Sequence, residues 1–399
     1  MNKLLKLLLG AQTKRKCHSE NRSPWVWLFG EWFGQRCCDN SMYLANYISE
    51  NHPEIEIYWA AQEGTDLSRL RQDIRQVLFE TKEAMIVYKK AGVVFMGQGF
   101  KDFSKEGFNY FSGAVTVNLW HGVMWKHVGH GGSNRRGCIY NLYIKVFDDI
   151  YGANCYVATS ENYAKICETA FGAKPTQIIR SGYPRNSIFY QPEEVEGARM
   201  QVIAMLSKKT GIQWSEDTKI ITYMPTFRDT IENTFSFEEL TEDDEFWEWL
   251  EVNNVIILQK AHFVTQQRHK EESFEEQRHV FIFNDVSAQM LLAATDLLIT
   301  DYSGCFFDFL LLDRPIIHFV YDYDYYMNQD RGLYYEKEEV VCGDVAMEKS
   351  ELRSFIIENM ENPQKQHALR VSRRKKFMTY DTPDSCEVIY KAVQKRLEK

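Results

Sequence analysis

From about Pro24 onward, short β-rich runs alternate with longer helical stretches, and this alternation constrains the fold more than any other feature. Expected strands in the first half are Ile55–Ala60, Val93–Met96, Ala114–Leu119, Tyr156–Thr159 and Gln177–Arg180. A second set comprises Lys219–Tyr223, Val255–Gln259, Val280–Phe283, Leu297–Thr300 and Ile316–Tyr321. Helical patterns such as Glu161–Phe171, Glu193–Lys209, Asp244–Val252 and Ser287–Ala294 lie between them. Strands that alternate with helices form βαβ units and hence parallel sheets, so the expected class is α/β. The 399 residues suit two cores of about 150–200 residues each. The break falls near Tyr183–Glu196, where GYPRN runs into the acidic QPEEVEGA ahead of a new helix. The expected division is a segment 1–23, domains 24–188 and 189–363, and a helical, initially basic tail 364–399.

Composition narrows the partners. The formal net charge of −9 argues against a general nucleic-acid binder, which carries a basic excess. Nine scattered cysteines contain no C-x-x-C pair, so neither a zinc ribbon nor a redox motif is supported, and reduced thiols in a cytosolic compartment fit best. No run approaches the roughly 18 apolar residues of a spanning helix. The N-terminal MNKLLKLLLGAQTKRK places Lys14, Arg15 and Lys16 after its apolar run, the reverse of a secretory signal. It reads either as an amphipathic helix lying on a membrane or as a frayed terminus.

In open parallel sheets, ligands bind beyond the carboxyl ends of the strands. The chain places Trp120 and His121 there after one strand, and Tyr183 and Arg185 after another. The second half adds Arg228, Lys260 with His262, Asp301 with Ser303, and Tyr321 with Asp322. Six such placements on two sheets imply a cleft. Arg228, Lys260 and His262 are cationic or able to become so, which suits a pyrophosphate. Ser303 stands where a helix is expected to begin, so it serves as an N-cap, an anion ligand, or both. His121 is suited to general-base work near neutrality, the alternative being a hydrogen-bonded core histidine. His121, His127 and His130 lie in a glycine-rich stretch without a carboxylate at ligand spacing, so a loop is expected rather than a metal site. Neither a Walker-type phosphate loop nor a dinucleotide fingerprint is present.

The ordered set LWHG with Lys126, SGYPRN, YMPTFRD, K-x-H and ITDYS-x-x-FFD-x-LLLDRPIIHFVYD resembles the CDP-glycerol glycerophosphotransferase family, which includes teichoic-acid primases and polymerases. The resemblance runs from about Trp27 to Tyr335. It implies a GT-B arrangement, two Rossmann-like domains facing across a cleft, with the CDP donor held by the C-terminal domain. Carried onto this sequence, it makes His121 the catalytic base. Arg228 and His262 become donor-phosphate ligands, His262 counting as a second catalytic histidine. Lys260, Asp301, Ser303 and Arg331 fall on the donor side, and Trp120, Lys126, Tyr183 and Arg185 on the acceptor or supporting side. No cofactor or metal is expected beyond the substrate CDP-glycerol. A lipid-linked or polymeric acceptor implies a cytoplasmic protein, peripheral on the inner face of the cell membrane. Two segments could reach that surface: LLKLLLGAQTKRK, and RRGCIYNLYIKVF with Arg135, Arg136 and Lys145. The second reads equally as a core-packing helix.

The sequence departs from the family pattern at three points. Val123-Met124 stands where the family commonly has Thr-Pro, Gly304 where it has a second serine, and Phe263 where it has proline. A ribitol donor, a nucleotide-sugar glycosyltransferase on the same fold, and a catalytically weak binding protein all remain open.

Overall fold

A computed structural model describes residues 3–132, 138–226, 244–260, 279–323 and 333–398. The chain forms two compact units. The first joins Met1–His121, Val128–Ser187 and Thr379–Lys399; the second joins Gly122–His127 to Ile188–Met378. The expected tail is therefore divided, with helix His367–Phe377 in the second unit and helix Ser385–Leu397 in the first.

The first unit is built on seven parallel strands in the order β3-β2-β1-β4-β5-β6-β7. These are β1 (Ser23–Gly30), β2 (Glu56–Ala61), β3 (Arg75–Leu78), β4 (Ala91–Met96), β5 (Val115–Asn118), β6 (Cys155–Ala158) and β7 (Ile178–Arg180). β1 and β3 are additions to the strands expected from the sequence. β1, SPWVWLFG, is a central strand: Leu28 lies beside Tyr58 on one side and Val94 on the other. Trp27, Leu28 and Phe29 are all fully buried, because helices cover both faces. Pro24 near its start is a residue seldom found in a central strand, and it masks the apolar run that follows.

Helix α1 (Lys3–Lys16) packs on α4 (Cys138–Tyr151). The Tyr151 hydroxyl donates to the Lys6 carbonyl at 3.0 Å, and a Cβ on Gly10 would stand 2.3 Å from that hydroxyl. A larger residue there would push the Tyr151 side chain aside. Both membrane-candidate segments are thus helical where described, and Leu4, Leu5, Leu8, Leu142 and Val146 remain exposed on them. No helix among the described residues is long and apolar enough to cross a membrane.

The second unit carries six parallel strands in the order β10-β9-β8-β11-β12-β13. They are β8 (Lys219–Met224), β9 (Val255–Gln259), β10 (Val280–Ile282), β11 (Leu297–Thr300), β12 (Ile316–Phe319) and β13 (Asp344–Ala346). β13 is a further strand beyond those expected. Ile221, Ile257, Ile299 and Ile317 form the core under one face, and Ile220, Ile256 and Leu258 pack under the other. Each sheet reverses its strand order once, between β1 and β4 and between β8 and β11. Ligand crevices of doubly wound sheets open at such reversals.

Candidate active site

At the carboxyl edge of the first sheet, β5 runs out into Trp120 and His121. Trp120 has a φ of 55°, a left-handed conformation that a bulky residue adopts only when its surroundings impose it. Its N–H donates to Asn118 Oδ1 at 2.9 Å and its carbonyl accepts from Asn40 Nδ2 at 2.9 Å. His121 is half-buried, with its ring centre 4.4 Å from that of Trp120 and 5.4 Å from that of Trp32. Arg185, buried, donates through Nη1 to the His121 carbonyl and to Asp39 Oδ1, both at 2.9 Å. The 3-10 helix carrying Arg185, Pro184–Tyr190, is pinned by Asp381, whose Oδ2 accepts from the Tyr183 amide and from Asn186 Nδ2, each at 2.9 Å. Tyr183 itself is fully buried, so its part is support.

Around this lies a group of residues that sequence reasoning missed. β1 runs out into Glu31, Trp32 and Phe33, the last two with φ of 47° and 58°. Glu31 is buried over the start of α2 (Asn40–Asn51). Its Oε1 accepts from the amides of Cys38 and Asp39, and its Oε2 from those of Ser41 and Met42. Burial, reinforced by the Asp39 charge, pushes its carboxyl up to about 8 against the pull of the amides. Asp102 spans the strand-order reversal, accepting from Phe33 N at 2.8 Å and from Gly97 N and Gln98 N at 2.9 and 2.7 Å. Burial raises it to about 6. The signal for these residues was the end of β1, and it was hidden because β1 itself was.

In the second unit, Asp301 follows β11 and is buried, and its Oδ1 accepts from Thr226 N at 2.8 Å, closing that sheet's reversal. Ser303 is half-buried but is not the N-cap. Gly304 holds that position, and the following helix, Cys305–Phe309, has only five residues before a 3-10 turn. A helix so short supplies little dipole, so any anion affinity here rests on the hydroxyl and local amides. Lys260 is buried, with Nζ donating to the carbonyls of Val286 and Asn284 at 2.6 and 3.3 Å. Its ammonium holds the loop at Asn284–Val286. Arg228, His262 and Arg331 lie outside the described residues.

The segment after His121 belongs to this unit. Trp125 is buried against Tyr302, Phe306 and His318; its Nε1 donates to Tyr335 O at 3.0 Å, and Tyr334 N donates to its carbonyl at 2.8 Å. Lys126 is half-buried in a bridge to Leu333. His127 stands edge-on to Tyr334, whereas His130 pairs with Asp148 at 2.6 Å, so each imidazole has its own local partner. Buried His318 accepts from Cys342 N at 3.2 Å, and burial lowers its ring to about 4.

The family model for CDP-glycerol:poly(glycerophosphate) glycerophosphotransferase matches residues 15–395. The chain belongs to this family. It is 24% identical over 374 residues to the teichoic acid glycerol-phosphate transferase of Staphylococcus aureus, spanning 91% of this chain and 92% of that one. It is 30% identical over 234 residues to a teichoic acid poly(glycerol phosphate) polymerase of Bacillus spizizenii, 57% of either chain. Its fold superposes on the wall teichoic acid polymerase TagF with a TM-score of 0.77 at 19% identity, over 98% of this chain and 94% of that one. A putative UDP-N-acetylglucosamine 2-epimerase from Listeria monocytogenes matches at a TM-score of 0.55 and 12% identity, over 94% and 97% of the two chains. Two parallel-sheet domains of the GT-B kind are thereby established for the chain.

Proposed function

We propose that the chain transfers glycerol phosphate, or a related polyol phosphate, from a CDP-activated donor to the terminal hydroxyl of a lipid-linked or polymeric acceptor in teichoic-acid or capsule synthesis. The observation that carries this reading is His121: a half-buried imidazole at the carboxyl end of a parallel strand, beside two indoles and on a backbone whose flanking carbonyls are both held. The acceptor hydroxyl gives its proton to His121 as its oxygen attacks the phosphorus bearing glycerol. The phosphoanhydride bond to the cytidylyl phosphate breaks, CMP leaves with the bonding electron pair, and a phosphodiester remains. Arg228 and His262 offset the charge that develops on the phosphates, and Ser303 adds a hydroxyl; Arg331 completes the donor side. Asp301 holds the Thr226 amide just past β8, and Lys260 holds the carbonyls of Asn284 and Val286.

With a lipid-linked acceptor, the protein works at the inner face of the cell membrane. Packed α1 and α4 support this reading, because they expose Leu4, Leu5, Leu8, Leu142 and Val146 on segments that also carry Lys14, Arg15, Lys16 and Lys145. Mixed apolar and basic character suits an interfacial surface.

The test is release of CMP or UDP by purified protein given CDP-glycerol, CDP-ribitol or nucleotide sugars, with His121→Ala alongside. CMP release from a CDP-polyol, lowered about 10²–10⁴-fold in His121→Ala, is expected. Turnover of a nucleotide sugar alone would make the chain a glycosyltransferase, and no turnover of any donor would make it a binding protein.

A further inference from the structure

We propose that Asn40 and Arg185 are positioning residues that fix the imidazole of His121 by gripping the backbone on either side of it. The inference rests on the reading of His121 as the base. The Trp120 carbonyl accepts from Asn40 Nδ2, and the His121 carbonyl from Arg185 Nη1, each at 2.9 Å. The peptide groups that bracket the histidine are thus held by one side chain apiece. The two holders are themselves joined, since the Arg185 amide donates to Asn40 Oδ1 at 3.1 Å. Asp39 completes the set: its Oδ1 takes the Arg185 guanidinium at 2.9 Å, and its Oδ2 takes the Trp32 indole N–H at 3.0 Å. That indole is one of the two rings flanking His121.

Burial separates positioning from catalysis. Asn40 is 1% exposed and Arg185 7%, so neither presents a surface to substrate, and each acts through the histidine. The conformation they hold is one the backbone would leave if released. Trp120 sits at a φ of 55°, and such strain persists only where surrounding contacts over-determine it. Asn40 lies at the first turn of α2, and Arg185 in the 3-10 helix Pro184–Tyr190 fixed by Asp381, so the grip is anchored at both ends in regular structure. Loss of either donor lets the Trp120–His121 peptides relax and carries the imidazole off line. A displacement of about 1 Å at a reacting group costs on the order of 10²-fold in rate.

The experiment uses the full chain, CDP-glycerol and a glycerol-phosphate-terminated acceptor, and follows CMP release. Asn40→Ala, Asn40→Asp and Arg185→Lys are compared, alone and combined with His121→Ala. Asn40→Asp keeps an oxygen for the Arg185 amide but turns the other onto the Trp120 carbonyl. Each single variant should lower kcat about 10–100-fold with donor KM and calorimetric CDP-glycerol binding unchanged, and should add less than about twofold to the loss in His121→Ala. Losses that multiply with that of His121→Ala, a donor KM effect at constant kcat, or folded Asn40 variants with wild-type kcat would overturn the inference. Should Arg185→Lys fail to fold, the two Asn40 variants decide. Near-wild-type turnover in His121→Ala would instead remove the base reading itself. An inactive His121→Ala beside fully active Asn40 variants would leave the base and remove only the grip.

Discussion

Gly304 stands where the family commonly has serine, and restoring a side chain there should damage the protein. A Cβ at 304 would lie 2.6 Å from the Val123 carbonyl oxygen, well inside contact distance and against backbone. The glycine's own conformation is ordinary, with φ at −68°, so the effect is purely one of space. Val123 cannot easily retreat. Two residues on, Trp125 is 1% exposed, with its indole N–H on Tyr335 O at 3.0 Å and its carbonyl taking Tyr334 N at 2.8 Å. Forcing a Cβ into a packed site of this kind costs about 1–3 kcal/mol. Gly304→Ala and Gly304→Ser are therefore expected to be destabilised by that amount in urea titrations. Gly197 supplies the control: it lies inside α6 (Pro192–Thr210), where an added Cβ would meet nothing within 4 Å, so Gly197→Ala should stabilise by about 0.5–1 kcal/mol. Equal stability of Gly304→Ala and wild type would refute the reasoning, since the Val123–Trp125 segment would then not be seated as described.

The remaining expectations concern donor, pH and membrane. Arg228→Ala and His262→Ala should weaken calorimetric CDP-glycerol binding or stop turnover, with Ser303→Ala milder because local amides remain; unchanged binding in all three would put the pyrophosphate elsewhere. Buried His318 resists protonation down to about 4, whereas an unfolded histidine takes its proton near 6.5. The unfolded chain thus binds the extra proton between those values, so stability present above 6.5 is lost as pH falls toward 4, by on the order of 3 kcal/mol. His318→Gln, which keeps an acceptor for the Cys342 amide, should flatten that slope in urea titrations at pH 7 and 4.5, and an unchanged slope would clear His318. Wild type should sediment with anionic vesicles in a salt-sensitive way, reduced by deletion of Met1–Lys16 or by Arg135, Arg136 and Lys145→Glu; no reduction in either would leave the acceptor to a partner protein.

Fold class and most of the elements were legible in the order of residues. Val255–Gln259, Leu297–Thr300 and Glu161–Phe171 begin and end where their residue patterns say, because a short apolar run or a periodic stripe is local information. Residue type and strand-end position also marked His121, Arg185, Asp301 and Ser303, since both suggest chemistry without reference to neighbours. What those residues touch came only with the folded chain. β1 was hidden because Pro24 near its start argues against a central strand, and with it went Glu31, Trp32, Asp39 and Asn40. Sheet order then placed β1 beside β4 and β4 beside β5, bringing Asn40 to the Trp120 carbonyl 80 residues away and Asp39 to an arginine 146 residues away. Likewise the residue type of Lys260 does not disclose its bonds to the carbonyls of Asn284 and Val286. Each of these contacts joins segments brought together by parallel crossovers. A residue's type limits the bonds it can make, but the path of the chain between partners determines which bonds form.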